Sequence, residues 1–155
     1  MIAEKNISTK ETWEILETIP DPELPALSIV DLGIVRNVNG DKNAIEIIIT
    51  PTYSGCPAMD VIRMQIRFHL LEHGYQNIKI TTTLSPAWTT DWITEKAKQQ
   101  LKDYGIAPPI KDNKIVCHLC NSANVKMISQ FGSTACKALY QCNDCKEPFD
   151  YFKCH

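Results

Sequence analysis

The sequence predicts an α+β protein, a small mixed-sheet α/β sandwich followed by a β-rich ribbon. Three observations carry this prediction. Residues 9 to 104 alternate helical and strand periodicities. A proline pair, Pro108-Pro109, interrupts them. Beyond it few apolar residues remain, and cysteines gather there as two Cys-x-x-Cys pairs.

The elements follow in order. Glu11 to Glu17 reads as a helix, with Trp13 and Leu16, or Ile15 and Ile19, at helical spacing, and Pro20-Asp21-Pro22 ends it. Ile34 to Val38 and Ala44 to Thr50 are rich in β-branched residues and flank Asn39-Gly40, so they predict an antiparallel hairpin turning at that pair. Pro57 to His73 predicts the central helix. Its apolar face carries Val61, Met64, Phe68 and Leu71, with Arg63 and Arg67 outside it and Gly74 as the C-terminal cap. Asn77 to Thr83 alternates as a third strand. Asp91 to Tyr104 predicts a last helix with Ile93, Ala97, Leu101 and Tyr104 on its buried stripe. The expected division is a first domain over residues 1–105, a linker over 106–114 and a second domain over 115–155.

Composition excludes several classes. Lys plus Arg total 16 against 18 Asp plus Glu, a net charge of -2, which gives no long-range field for phosphate backbones. From Lys111 onward six lysines face four acidic residues, and a bound zinc tetrathiolate would cancel that excess. No nucleic-acid partner is expected. No membrane partner is expected either, because the N-terminus has no apolar run and Glu46 breaks the one around Ile45 to Ile49. Cysteine pairs at metal spacing point to a reducing cytoplasm rather than to secreted disulfides.

The second domain has too little apolar content to form a core unaided. Cys117-His-Leu-Cys120 and Cys142-Asn-Asp-Cys145 would converge four thiolates on one tetrahedral centre. That soft donor set suits zinc, with iron as the competitor, and makes the domain a zinc ribbon. Cys136 and Cys154 could replace a knuckle cysteine or pair with each other, but a small buried thiol is the simpler account. His118 and His155 complete no ligand set.

In the first domain Cys56 stands between a strand end and the helix opened by Pro57, at a helix N-terminus whose dipole favours the thiolate. Gly55 lets another group approach the backbone. A nucleophile, a metal ligand, a cluster ligand or a capping cysteine without chemistry all fit. His69 and His73, roughly 20 Å further along the helix, are too far to serve Cys56 as a base. Asp21, Glu23 and Asp31 place carboxylates near a proline-rich loop, as acid-base groups or as turn caps.

Asp21-Pro-Glu-Leu-Pro, Ser28 to Gly33 and the Thr-Pro-Thr-x-x-Gly-Cys-Pro loop at 50 to 57 resemble the metal-sulfur cluster assembly domain of SufT-type proteins and of eukaryotic cytosolic iron-sulfur assembly factors. Pro86 to Trp92, Tyr104 to Pro109, Phe131 to Tyr140 and Glu147 to Cys154 extend the resemblance to the PaaD family, small components encoded with the phenylacetyl-CoA epoxidase. That resemblance implies maturation by iron or iron-sulfur cluster delivery, with the oxygenase and reductase components and the iron-sulfur assembly machinery as partners. Under it, Cys56 is the position that would hold a transient iron or cluster, supported by Asp21, Thr52 and Gly55. The chain itself is not expected to perform the epoxidation. A non-catalytic structural subunit, or a thiol-dependent enzyme using Cys56, are the alternatives, and homo-oligomerisation is left open.

Overall fold

A computed structural model describes residues 7–53, 55–109, 114–132, 134 and 136–152. Cys154, His155 and part of the expected linker lie outside them. The chain divides into two compact units, residues 1–88 and 89–155.

In the first unit, helix α1 (Ile7–Glu17) precedes strands β1 (Val35–Gly40) and β2 (Ile45–Ile49), helix α2 (Ala58–Glu72) and strand β3 (Ile78–Thr82). The sheet order is β1-β2-β3, antiparallel between the first pair and parallel between the second. This is the expected mixed sheet. Parallel neighbours need a long crossover, and α2 supplies it. Ile45, Ile47 and Ile49 are buried along β2, as period-two alternation requires, and meet a core that includes Leu16 of α1 and Ile62, Ile66 and Leu70 of α2. Two buried polar links lock distant segments: Thr12 Oγ1 and Tyr75 Oη at 2.8 Å, and Trp88 Nε1 donating to the Leu32 carbonyl at 2.9 Å.

Two local expectations are corrected in this unit. The hairpin does not turn at Asn39-Gly40. Gly40 still pairs with Ile45, and the reversal occupies the next four residues, where Asp41 Oδ1 accepts from the N–H groups of Asn43 and Ala44. An Asx turn won because the Asp41 side chain satisfies two loop donors that a two-residue turn would not contain. Gly40 keeps a different role, at φ +109°, where any Cβ would run into the Ala44 carbonyl oxygen.

The second correction concerns α2. Its buried residues are Ala58, Met59, Ile62, Ile66 and Leu70. The stripe expected to be its apolar face is instead open to solvent, with Val61 37%, Met64 65%, Phe68 57% and Leu71 56% exposed. The helix has two apolar faces, and the one carrying Ile62, Ile66 and Leu70 is the one the fold buries.

The second unit opens with a 3₁₀ turn (Thr90–Trp92) and helix α3 (Glu95–Asp103), whose N-cap Thr94 accepts from the Ala97 N–H at 3.1 Å. Ile93, Ala97 and Leu101 are buried as expected, whereas Tyr104 is 68% exposed because the helix stops before it. Strands β4 (Ile106–Ala107), β5 (Val125–Ser129), β6 (Lys137–Cys142) and β7 (Pro148–Phe152) form a sheet of order β4-β7-β6-β5. Within the stretch 106–114, read above as linker, Ile106 and Ala107 thus join the ribbon sheet, parallel to β7. The ribbon core contains Ala107, Cys117, Cys142, Phe149 and Tyr151, with Ile115, Val125 and Tyr140 packed against it.

Candidate functional site

The ribbon core has two cysteines among its five buried members, so the thiols are part of what holds it. Cys117 ends an extended segment and starts a turn in which the Asn121 N–H donates to the Cys117 carbonyl at 2.8 Å. Cys142 ends β6, where its N–H donates to the Glu147 carbonyl at 3.0 Å. Each turn returns its second cysteine toward the first. The sulfur atoms of Cys117, Cys120, Cys142 and Cys145 all lie within 4.8 Å of one another, with Cys117 to Cys145 at 3.7 Å and Cys120 to Cys142 at 3.5 Å.

A tetrahedral centre with metal–sulfur bonds near 2.3 Å has edges of about 3.8 Å, so the donor set fits one metal ion. The backbone prepares the site for negative charge. The Cys145 and Asp144 N–H groups at Cys142 Sγ help bring its thiol down to about 7. Cys145 also receives an N–H, from Glu147, yet burial and the three neighbouring sulfurs push it up to about 12. Four thiols this close cannot all ionise without a cation among them.

Cys136 is not in this group. It is buried at 3% exposure and its sulfur lies 3.0 Å from Thr134 Oγ1, a small packed thiol with a local partner.

In the first unit, Cys56 precedes Pro57, the N-cap of α2, and its carbonyl accepts from the Met59 N–H at 3.2 Å. Gly55, at φ +78°, turns the chain into this position. Nothing lies within 4 Å of where its Cβ would be, so the glycine answers a backbone conformation, leaving open space beside the thiol's neighbour. The expected lowering of the Cys56 thiol does not hold. Partial burial pushes it up, the Ala58 N–H and the Tyr53 side chain pull it down, and the charges of Glu23 and Asp21 push it up again. Desolvation and two carboxylates outweigh one helix end.

The carboxylates identify the loop 21–24 as the neighbour of Cys56. Asp21 is 5% exposed and its Oδ1 accepts from the Glu23 and Leu24 N–H groups, each at 2.9 Å, which is a turn cap. Ser28 Oγ likewise accepts from the Asp31 N–H at 3.0 Å. Thr52 sits half-buried in the same loop as Cys56. Tyr53 was not singled out from the sequence, although it stands three residues before Cys56 and bonds to it. The Nδ1 atoms of His69 and His73 lie 2.8 Å and 2.7 Å from the carbonyls of Gln65 and His69, one turn back along α2.

Among the described residues no helix is long and apolar enough to cross a membrane. Residues 10–73 match the family described as iron-sulfur cluster assembly protein, and residues 105–153 match the PaaD zinc beta ribbon domain. An Fe-S protein maturation auxiliary factor of Porphyromonas gingivalis is 34% identical over 89 residues, covering 56% of this chain and 84% of that protein. The crystal structure of a domain of unknown function, DUF59, from Bacillus anthracis superposes with a TM-score of 0.55 at 30% identity, over 59% of this chain and 88% of that one. A conserved hypothetical protein of Thermotoga maritima shares the fold, with a TM-score of 0.52 at 23% identity over 64% of this chain and 98% of that one. An Escherichia coli (strain K12) protein named as a component of 1,2-phenylacetyl-CoA epoxidase is 48% identical over 151 residues, 93% of this chain and 92% of that protein. With that likeness over nearly its full length, and with an assembly domain ahead of a matching ribbon, the chain belongs to the PaaD family.

Proposed function

We propose that this chain matures the multicomponent phenylacetyl-CoA epoxidase of aerobic phenylacetate degradation by delivering iron or an iron-sulfur cluster, and is not itself the oxygenase. The observation that carries the proposal is the union, in one chain, of an iron-sulfur assembly domain with the ribbon of an epoxidase-associated family. Its partners are then the epoxidase's oxygenase and reductase components and the iron-sulfur assembly machinery, in the cytoplasm.

Cys56 is the cargo ligand in this reading, and it is the one cysteine of the first unit. Burial and the charges of Glu23 and Asp21 raise its thiol above the ordinary cysteine range, so a metal that binds it must displace a proton. That coupling keeps affinity modest, as a ligand that must release its cargo requires. Asp21 shapes the adjoining turn, while Gly55 and Thr52 form the loop that presents the thiol. A thiol enzyme is disfavoured, because a nucleophile needs the opposite pKa shift and a base, and His69 and His73 are on later turns of α2.

The ribbon metal is zinc, held by Cys117, Cys120, Cys142 and Cys145, and its role is structural. All four positions are thiolate, leaving no open coordination site for chemistry. The cargo of Cys56 is an iron-sulfur species before bare iron, since a soft thiolate matches it better than it matches a carboxylate-bound iron site.

The test is to produce the epoxidase components in cells carrying the wild-type chain, no chain, or Cys56→Ser, and to measure iron and acid-labile sulfide in each purified component. The expected result is a reductase depleted of its cluster in the last two, with this chain folded and zinc-replete. Components fully loaded in cells lacking the chain would leave the alternative of a structural component of the complex.

A further inference from the structure

The open stripe on α2 is spaced as an interaction seam. Val61, Met64, Phe68 and Leu71 recur at steps of three, four and three residues, the a/d pattern by which two helices interdigitate. All four are large and from 37% to 65% exposed, on the side of the helix opposite the residues that face the unit's own core. A contiguous apolar row on a 15-residue helix is what a soluble surface avoids unless something covers it.

We propose that the stripe is covered by the same stripe of a second copy, with the two α2 helices parallel. The flanking charges favour this occupant and this direction. In a parallel seam Arg67 stands on one flank and reaches the residue five positions further along the opposite helix, which is Glu72, and the symmetry of the pair makes the contact twice. Arg67 is exposed, and among the described residues only its Nη1 is engaged, donating to the Ile78 carbonyl at 3.0 Å, so its Nε and Nη2 donors remain for a carboxylate. Glu72 is exposed and has no partner among the described residues. In an antiparallel seam with the same apolar layers, Arg67 would instead meet its own copy.

A second argument comes from ligand count, and it rests on the function proposed above. Protein-held clusters are ligated by several thiolates, whereas the first unit has a single cysteine, Cys56. Parallel helices bring their N-termini, and so both Cys56-bearing loops, to the same end of the pair.

The stripe is short, so the pair is weak, at the low end of specific interface size. The experiment is sedimentation equilibrium of the full, zinc-loaded chain in reducing buffer, at concentrations up to about 0.2 mM, above the micromolar range expected of so small a contact. Wild type should show a reversible monomer–dimer equilibrium. Phe68→Asp should weaken it at least tenfold with an unchanged circular dichroism spectrum, because the residue is exposed in the monomer. Glu72→Arg should weaken it by setting guanidinium groups against each other, and adding Arg67→Glu should restore it. In an antiparallel pair the double variant would leave two carboxylates facing and give no rescue.

A chain that stays monomeric throughout, a dimer indifferent to Phe68→Asp, or failure of the charge exchange to rescue would each overturn the proposal. If the chain is monomeric yet Phe68→Asp still lowers cluster loading of the epoxidase components, the stripe is a client surface. The maturation reading would then stand while the second copy falls.

Discussion

Cys142→Ser tests the ribbon most sharply, because Cys142 is both a proposed ligand and a member of the ribbon core. Its side chain is fully buried, its sulfur lies 3.5 Å from Cys120, and its N–H closes the turn onto Glu147. Structural zinc in small domains contributes about 10–16 kcal/mol of binding free energy that is also folding free energy. Shared over four equivalent thiolates, that is about 3–4 kcal/mol per ligand, so losing one should weaken metal binding by about two to three orders of magnitude.

Affinity is read by competition with a chromophoric chelator, and folding by hydrogen exchange along β5, β6 and β7. The variant should lose metal and ribbon protection together, while protection in β1, β2 and β3 persists. Complete chelation of the wild type should do the same. Cys136→Ser is the control: its sulfur meets Thr134 and it is not one of the four grouped thiols, so metal content should not change. One tightly held metal per chain in Cys142→Ser, or metal loss in Cys136→Ser, would refute the ligand assignment.

Three other outcomes are expected. Alkylation of Cys56 by iodoacetamide should have its pH midpoint above that of a free cysteine, since burial and the Glu23 charge oppose the thiolate, and Glu23→Gln should move the midpoint down; an unchanged midpoint would detach Glu23 from the site. Asp21→Ala removes the acceptor for two backbone N–H groups and should cost about 1–2 kcal/mol in urea unfolding of the first unit, against near-neutrality if the turn were solvated. Gly40→Ala should cost more than Gly55→Ala, because a Cβ at Gly40 meets the Ala44 carbonyl oxygen whereas Gly55 faces open space and has only the left-handed penalty of about 1–2 kcal/mol; equal losses would contradict the difference.

Much of this was legible in the chain because the signals were local. β-Branched runs at Ile45 to Ile49 and Ile78 to Thr82 read as strands, and the Ala97 and Leu101 stripe read as a helix, although its start at Thr94 rather than Asp91 was not anticipated. The four ribbon cysteines were readable from spacing alone, since two residues between thiols fix a turn whatever surrounds it. The resemblance to a known family likewise followed from short sequence runs.

What sequence left undecided depended on groups far apart along the chain. Helix α2 has two apolar faces, and only the fold selects Ile62, Ile66 and Leu70 for the core and leaves Met64 and Phe68 outside. At Cys56 the helix end was visible, but the opposing carboxylates sit more than thirty positions earlier, and burial that disfavours the thiolate exists only once the loops meet. The sequence by itself determined the element types, the metal-binding spacing and the family, because periodicity, turns and knuckles are properties of neighbours. Tertiary structure decided which helix face is buried, which way the Cys56 proton equilibrium leans and where Ile106 and Ala107 belong, because desolvation, charge and strand pairing act through space.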